Sequence, residues 1–146
     1  MAAAAVRFTE LDERSSRAFL ARNHVGRIAF SLHDQVDIQP IHYVYDDEWL
    51  VGRTQVGSKL ASLSHHPRCA FEVDEVRGVF EWDCVVVRGS FSILDPETAS
   101  VDRYTRALNK LRAFIPGTLG SDDPAPSRLI LFGLHIDSIS GRAARQ

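Results

Sequence analysis

A chain of 146 residues, of which 45% are hydrophobic and 25% charged, has the composition of a globular protein and enough length to bury a core. Its formal net charge of −2 argues against a general nucleic-acid binder, which usually carries a basic face. No apolar run reaches the ~18 residues of a membrane span, and the start MAAAAVRF lacks the order of a signal peptide. We therefore expect one domain over residues 1–146, located in the cytoplasm.

The first predicted element is an amphipathic helix in FTELDERSSRAFLARN. Thr9 suits its N-cap, and Leu11, Ala18 and Phe19 recur at helical spacing. Gly26 suits a C-terminal turn. The pattern therefore predicts a helix that begins after Thr9 and ends before Gly26.

Period-two alternation after this helix indicates β-strands. RIAFSL alternates, HDQ is a turn, and VDIQPIHYVY alternates again, with Pro40 suited to an edge strand or a bulge. DDE turns the chain into WLVGRT. Further strands are predicted in CAFEVDEV, in DCVVVRGSFSIL, and in RLILFGLHIDSISG, which is one long strand or a bent pair. Six or so antiparallel strands favour a small closed barrel over a sandwich, because closure removes exposed edges.

Two more helices are predicted between these strands. A short one runs from Ser58 to about His66, where Pro67 prevents it from continuing. A long one lies in DPETASVDRYTRALNKLRAF, with Asp95 as its cap and Pro96 in its first position. IPGTLGSDDPAPS then forms a loop rich in Pro and Gly.

The stretch RTQVGSKL gathers polar and cationic side chains around the start of the short helix. A helix start presents unpaired N–H groups and suits a phosphate. Gly57 lets the backbone approach closely, Ser58 can donate a hydroxyl hydrogen bond, and Lys59 supplies a charge. Arg53 and Thr54 come off the preceding strand. The stretch is a candidate cradle for a dianion; the alternative is a capped surface helix with solvated charges.

The order of GRIAF, IQPIHYVYDD, WLVGRTQVGSKLASLSHHPRCAFEVDE and VVVRGSF resembles the FMN-binding split-barrel proteins of the pyridoxamine 5'-phosphate oxidase-like superfamily. The resemblance covers about Leu11 to Leu94 and, more loosely, the final strand. It implies a mainly β fold, a six-stranded antiparallel split β-barrel with two to three helices. It also implies FMN as the cofactor and a homodimer as the functional unit.

The same resemblance implies which residues hold the cofactor. The phosphate would lie against the helix start, the PIHY segment would border the isoalloxazine ring, and Trp82 would reach the site from the second subunit. The expected cofactor-binding residues are Ile41, His42, Tyr43, Arg53, Thr54, Gly57, Ser58, Lys59, Leu60 and Trp82.

By this resemblance the protein is an FMN-dependent oxidoreductase that transfers hydride or electrons between a reduced nicotinamide cofactor or flavin and a small-molecule acceptor. No catalytic acid or base is expected, since the flavin carries the chemistry. The chain ends SISGRAARQ, without the Trp-Arg motif by which true pyridoxamine phosphate oxidases grip their substrate, so oxidation of vitamin B6 is not expected. The alternatives are a non-catalytic flavin-binding or storage module and a deazaflavin or haem binder on the same fold.

No metal site is expected, because His65 and His66 point in different directions and no third ligand has a useful spacing. Cys69 and Cys84 are interpreted as small buried hydrophobic residues.

The apolar run in DCVVVRGSF bears on oligomeric state. Alternate residues of a strand point to opposite faces, so part of this run must face away from the barrel core. Such an outer face indicates a dimer interface. The alternative is that the long helix covers this face.

Overall fold

Eight antiparallel strands form one sheet in the part of the chain that the structure describes, residues 3–97 and 101–146 of a computed structural model; of Ser58 only the backbone is described. The elements in chain order are β1 (Arg7–Leu11), α1 (Glu13–Arg22), β2 (Val25–Leu32), β3 (Gln35–His42), β4 (Val44–Asp46), β5 (Trp49–Thr54), α2 (Ser58–His65), β6 (Arg68–Gly78), β7 (Glu81–Leu94), α3 (Val101–Phe114) and β8 (Ile130–Arg145).

The sheet curls so that its path closes. Hydrogen-bonded neighbours follow the order β3-β2-β6-β7-β8-β5-β4, and β1 pairs with β8. Strands β3 and β4 are separated by Tyr43 alone, yet β3 pairs with β2 at one end of the path and β4 pairs with β5 at the other. A continuous stretch of chain therefore joins the two ends of the sheet into a barrel.

Two apolar cores result from this closure. The larger fills the barrel and includes the fully buried Phe71, Val85 and Leu134. The smaller lies between α3 and the strands β5 and β8, where Leu111 meets Val51 and Leu131. The second core fixes the carboxyl-terminal half of α3 beside β5.

The mainly β prediction with two to three helices is confirmed, but the predicted number of six strands is too small. Strand β1 was missed because four of its five residues are exposed and give no alternation. The sequence predicts one strand in VDIQPIHYVY, whereas the structure divides this segment at Tyr43. These two differences account for the eight strands described.

The boundaries of the first helix also differ from the prediction. Thr9 lies in β1, and Asp12 is the N-cap of α1: its carboxylate accepts the N–H of Ser15 at 2.7 Å. Gly26 does not end the helix, because it lies inside β2 and packs against the ring of Phe71. A polar strand followed by a polar helix start offers no local signal for the boundary between them.

The predicted start of the long helix is corrected in part. Pro96 and Glu97 form a turn in which Asp95 accepts the N–H of Glu97 at 2.8 Å, so Pro96 is not in the first helical position. The predicted residues 98–100 lie outside the described part of the chain. The described part of α3 carries an apolar stripe, in which Leu111 is buried and Tyr104 and Leu108 pack against the same cluster.

Cys69 is buried, Cys84 is half-buried, and both thiols are free. None of the helices described combines the length and apolar content needed to cross a bilayer.

Candidate functional site

A cavity of about 340 Å³ opens at the start of α2, where β5 ends and the chain turns into the helix. Its lining comes from three parts of the chain that are distant in sequence. Strand β3 contributes Gln39 and Pro40, the loop before β8 contributes Ser127 and Arg128, and the turn into α2 contributes the rest: Thr54, Gln55, Val56, Gly57 and Lys59. We call this space the cationic cavity.

Two positive side chains meet in the cationic cavity. Burial lowers the pKa of Lys59 from its ordinary value, and the nearby charge of Arg128 lowers it further. Among the described lining residues there is no aspartate or glutamate. Two cations that repel each other without a carboxylate between them favour the binding of an anion.

Backbone geometry at Gly57 leaves the start of α2 accessible. Gly57 is exposed, its φ of 174° is ordinary extended backbone, and a Cβ built there would meet no atom within 4 Å. The first N–H groups of α2 have no partner within the helix and lie beside this open space. The helix start can therefore be approached from the cationic cavity.

A second cavity, of about 200 Å³, lies between the β3–β4 junction, β5 and the end of α3. Apolar side chains of Leu111, Phe114, Ile115, Pro124 and Ala125 form much of its wall. His42, Thr118, Arg53 and Arg128 add polar groups. We call this space the apolar cavity.

The two cavities adjoin. Consecutive residues of β5 line them, Arg53 the apolar cavity and Thr54 the cationic cavity, and Arg128 lines both. Together they form one cleft with a charged end and an apolar end, and we refer to them jointly as the cleft. Taken together, the two cavities fall within the range of ~300–1,000 Å³ that is common for small-molecule sites, whereas the apolar cavity alone is smaller.

The guanidinium of Arg53 forms an ion pair that the sequence did not predict. It forms a bidentate pair with Asp123: Nη2 donates to Oδ1 at 2.6 Å, and Nη1 donates to Oδ2. The side chains are only 9% and 2% exposed. This pairing holds the pKa of Asp123 well below its ordinary range.

Other predicted residues lie partly in the cleft and partly in the core. His42 lines the apolar cavity. Tyr43 borders it as well, but its ring is buried and its hydroxyl donates to the carbonyl of Leu20 at 2.7 Å. The side chains of Ile41 and Leu60 belong to the barrel core. Alternation along the strand explains why His42 faces outward while Ile41 and Tyr43 face inward.

The side chain of Ser58, which was expected to donate a hydroxyl hydrogen bond, lies outside what the structure describes. Thr54 is buried and lines the cationic cavity, with Gly57 and Lys59. Five of the predicted residues therefore line the cleft together with Arg53, namely His42, Tyr43, Thr54, Gly57 and Lys59.

Trp82 lies far from the cleft of its own chain. It pairs with Ala144 of β8, whereas Arg53 pairs with Leu131, thirteen positions earlier on the same strand. At ~3.3 Å per residue this separation is roughly 40 Å along the strand. Trp82 of the same chain therefore does not line the cleft, and the prediction that a partner's Trp82 reaches it stays a prediction.

Sequence reasoning missed Arg128 and Asp123. Asp123 lies in the loop that is predicted only as Pro/Gly-rich, whereas Arg128 is predicted as the first residue of the final strand, which begins at Ile130 in the structure. Nothing in the local pattern places either residue beside the start of α2. Asp123 precedes Pro124 and accepts the N–H of Ala125 at 2.9 Å, which is the local turn that Asp often forms. That signal predicts a turn, but not its partner.

No cluster of three or more His, Cys, Asp or Glu residues able to hold a metal occurs in residues 3–97 and 101–146. The expectation that the protein needs no metal remains a prediction.

Comparison with known proteins adds a family and a fold. The family model described as pyridoxamine 5'-phosphate oxidase matches residues 12–143. No curated protein sequence matches the chain significantly. The family match supports the resemblance that the sequence motifs indicated.

Several solved structures share the fold along nearly the whole chain. An FAD-binding protein from Mesorhizobium loti is 24% identical, with a TM-score of 0.76 over 97% of this chain and 99% of that one. The FAD binding protein from Mycobacterium smegmatis is 20% identical, with a TM-score of 0.70 over 92% and 99%. The FAD and haem binding protein from Mycobacterium smegmatis is 17% identical, with a TM-score of 0.67 over 95% and 74%. The predicted split-barrel fold is confirmed.

The electrostatics of the cationic cavity can be tested in the protein alone. We expect Arg128→Met to raise the pKa of Lys59, because the substitution removes the neighbouring positive charge and leaves burial as the main cause of the shift. The chain has two lysines, Lys59 and Lys110, so NMR of the lysine side chains can resolve each titration. Arg88→Met, at an exposed position of β7 outside the lining of the cationic cavity, is the control. An unchanged Lys59 titration in Arg128→Met would show that the two charges do not interact.

Proposed function

The chain belongs to the pyridoxamine 5'-phosphate oxidase family, and from the form of its cleft we propose that it binds FMN, with the phosphate in the cationic cavity at the start of α2. The observation that carries the proposal is that two cations, Lys59 and Arg128, line the same cavity. The described lining of this cavity contains no carboxylate, and the apolar cavity lies directly beside it. FMN likewise combines a charged phosphate with a flat, largely apolar ring system.

The residues present fit a phosphate. Lys59 and Arg128 offer charge-assisted donors, and the first N–H groups of α2 add backbone donors. The open side of Gly57 lets a phosphate oxygen reach that backbone without displacing a side chain. Thr54 supplies a hydroxyl in the same lining.

The apolar cavity fits a planar ring system. Leu111, Phe114, Ile115 and Pro124 would cover its apolar surface, while His42 and the backbone of β5 would meet its polar edge. Phe114 already stacks on His24, with ring centroids 3.9 Å apart. These residues would bind and orient the ring and exclude water from part of it.

FMN supplies hydride and electron transfer when it is bound. We propose that the protein is an FMN-dependent oxidoreductase that acts between a reduced nicotinamide cofactor or flavin and a small-molecule acceptor. Its own residues hold and shield the cofactor. Vitamin B6 oxidation is not the proposed activity.

Three alternatives differ from this proposal in the cofactor that is bound or in whether the protein catalyses a reaction. The protein could serve as a flavin carrier, bind a deazaflavin or haem instead, or hold FAD, which all three structural neighbours above are named for binding. The FAD and haem binding protein from Mycobacterium smegmatis supports keeping haem among them. The cofactor that copurifies with the protein separates FMN from FAD, deazaflavin and haem, and turnover separates an enzyme from a carrier.

We expect purified protein reconstituted with FMN to oxidise NADH or NADPH in the presence of quinone or nitroaromatic acceptors. Absorption, fluorescence and mass spectrometry of the copurified cofactor identify it beforehand. Stoichiometric FMN without turnover on any acceptor would favour the carrier. A Soret band, a deazaflavin or FAD in place of FMN would overturn the choice of cofactor.

Lys59→Ala is expected to weaken FMN binding by about ten- to a hundredfold, because a hydrogen bond to a charged group contributes roughly 1.5–3 kcal/mol. Riboflavin lacks the phosphate, so its affinity should not change. Quenching of flavin fluorescence measures both constants, and Lys110→Ala on α3 is the matched control. Wild-type affinity of Lys59→Ala for FMN would place the phosphate elsewhere.

We further propose that the protein is a homodimer whose outer sheet face forms the interface. Val85 and Val87 are buried in the barrel, while Val86 is half-buried on the opposite face. Helix α3 packs against β4, β5 and β8, so it does not supply a cover for Val86. The cross-strand neighbours of Val86 are Glu72 and Ser140, which makes this face mixed and not wholly apolar.

Sedimentation should give about twice the chain mass of 16.3 kDa at micromolar concentration. Val86→Glu is expected to break the dimer and, because a partner's Trp82 would be lost from the cleft, to weaken FMN binding as well. Val101→Glu, at the exposed start of α3, is the control. A monomer that holds FMN at full affinity would contradict a site built from two chains.

A further inference from the structure

We propose that Arg53 is a positioning residue: through Asp123 it holds the loop of residues 115–128, which forms one wall of the cleft and brings Arg128 into the cationic cavity. The inference rests on the proposed flavin site and assigns Arg53 a different part from the direct phosphate contact that the resemblance implied.

The contact geometry of Arg53 supports this assignment. Two of its N–H groups are used by the carboxylate of Asp123, and Nη1 also lies 3.5 Å from the carbonyl oxygen of Arg128. The two side chains are buried, and Arg53 stands near the end of β5, where its backbone pairs with Leu131 of β8. A rigid strand therefore presents a fixed guanidinium to the loop.

Asp123 organises the loop around this guanidinium. Its carboxylate also accepts the N–H of Leu119 and the N–H of Ala125, each at 2.9 Å. A carboxylate has about four acceptor positions, so two contacts to Arg53 and two to backbone amides use them fully. One side chain thus joins two points of the loop to β5.

The loop makes few other hydrogen bonds to the sheet, and its Leu119 packs against the smaller apolar core. Residues 115–128 form turns and bends with no helix or strand of their own. Among the hydrogen bonds described, those that join this loop to the sheet come from Arg53; another, from Arg112 to the carbonyl of Thr118 at 2.9 Å, ties it to α3. The position of the loop therefore depends on the pair of Arg53 and Asp123.

The loop carries much of what a flavin would touch. Ile115, Thr118, Pro124 and Ala125 line the apolar cavity, and Arg128 lines both cavities. Loosening the loop should consequently weaken contacts to the ring as well as to the phosphate. A direct ligand of the phosphate would affect the phosphate alone.

The positioning role and a direct phosphate contact of Arg53 predict different effects of Asp123→Asn on flavin affinity. If Arg53 positions the loop, the isosteric amide breaks the bidentate pair, and the affinities for FMN and for riboflavin both fall by about tenfold or more. If Arg53 binds the phosphate directly, removal of the competing carboxylate leaves FMN binding unchanged or tighter and riboflavin unchanged. Asp122→Asn, on the exposed neighbouring residue, is the matched control.

Two further measurements make the role of the loop visible. In ligand-free protein, hydrogen exchange at the amides of Leu119 and Ala125 should become faster in Asp123→Asn but not in Asp122→Asn. At saturating FMN, the visible absorption band of the bound flavin should shift toward that of free flavin. A residue that supports only global stability would lower the unfolding temperature without moving that band.

Arg53→Lys is the second variant, in case Asp123→Asn does not fold. It keeps the positive charge but cannot bridge both carboxylate oxygens, so both flavins should again bind more weakly. Full FMN affinity in this variant would overturn the positioning role. If the wild type binds neither flavin, the proposed function fails, and amide exchange in ligand-free Asp123→Asn then tests the positioning role by itself. Faster exchange at Leu119 and Ala125 supports the role of Arg53 in holding the loop, and unchanged exchange refutes it.

Discussion

Strand β8 is the constraint on which the rest of the structure depends. Its first residues pair with β5 on one side and with β7 on the other, and its last residues pair with β1 and β7. Sixteen residues of one strand thus connect the cleft end of the barrel to the end that carries Trp82. Close packing at Gly141, where a Cβ would come within 2.4 Å of Ser16 Oγ, lets α1 lie directly on this strand.

Ion pairs of buried carboxylates then join separate elements of this fold. In each case an aspartate with little exposure meets an arginine from a different element: Asp46 with Arg106, Asp83 with Arg145, and Asp123 with Arg53. Hydrogen bonds from the arginines hold the pKa values of Asp46 and Asp123 below their ordinary range. A carboxyl with a depressed pKa stabilises the folded state above its ordinary pKa, and this contribution is lost as the pH falls.

In the cleft, by contrast, two side chains of like charge lie close together. Lys59 is partly buried and lies near Arg128, so its charged form is disfavoured in the protein alone. Groups whose pKa is shifted by burial and by a neighbouring like charge are typical of functional sites. A ligand of opposite charge can then stabilise the charged form. An anion in this cavity would relieve the repulsion, which couples the electrostatics of the cavity to binding.

The sequence by itself determined the elements that depend on local pattern. Alternation located the strands from β2 to β8 except for the division between β3 and β4. The Gly-Ser-Lys stretch located the start of α2, because side-chain period and helix starts depend on neighbouring residues. Only the tertiary structure decided how distant segments meet. The partner of Arg53 lies seventy residues away in a loop without periodicity, and Arg128 reaches the cleft because β8 pairs with β5. Such pairings arise from the closure of the whole sheet, which no local stretch of sequence encodes.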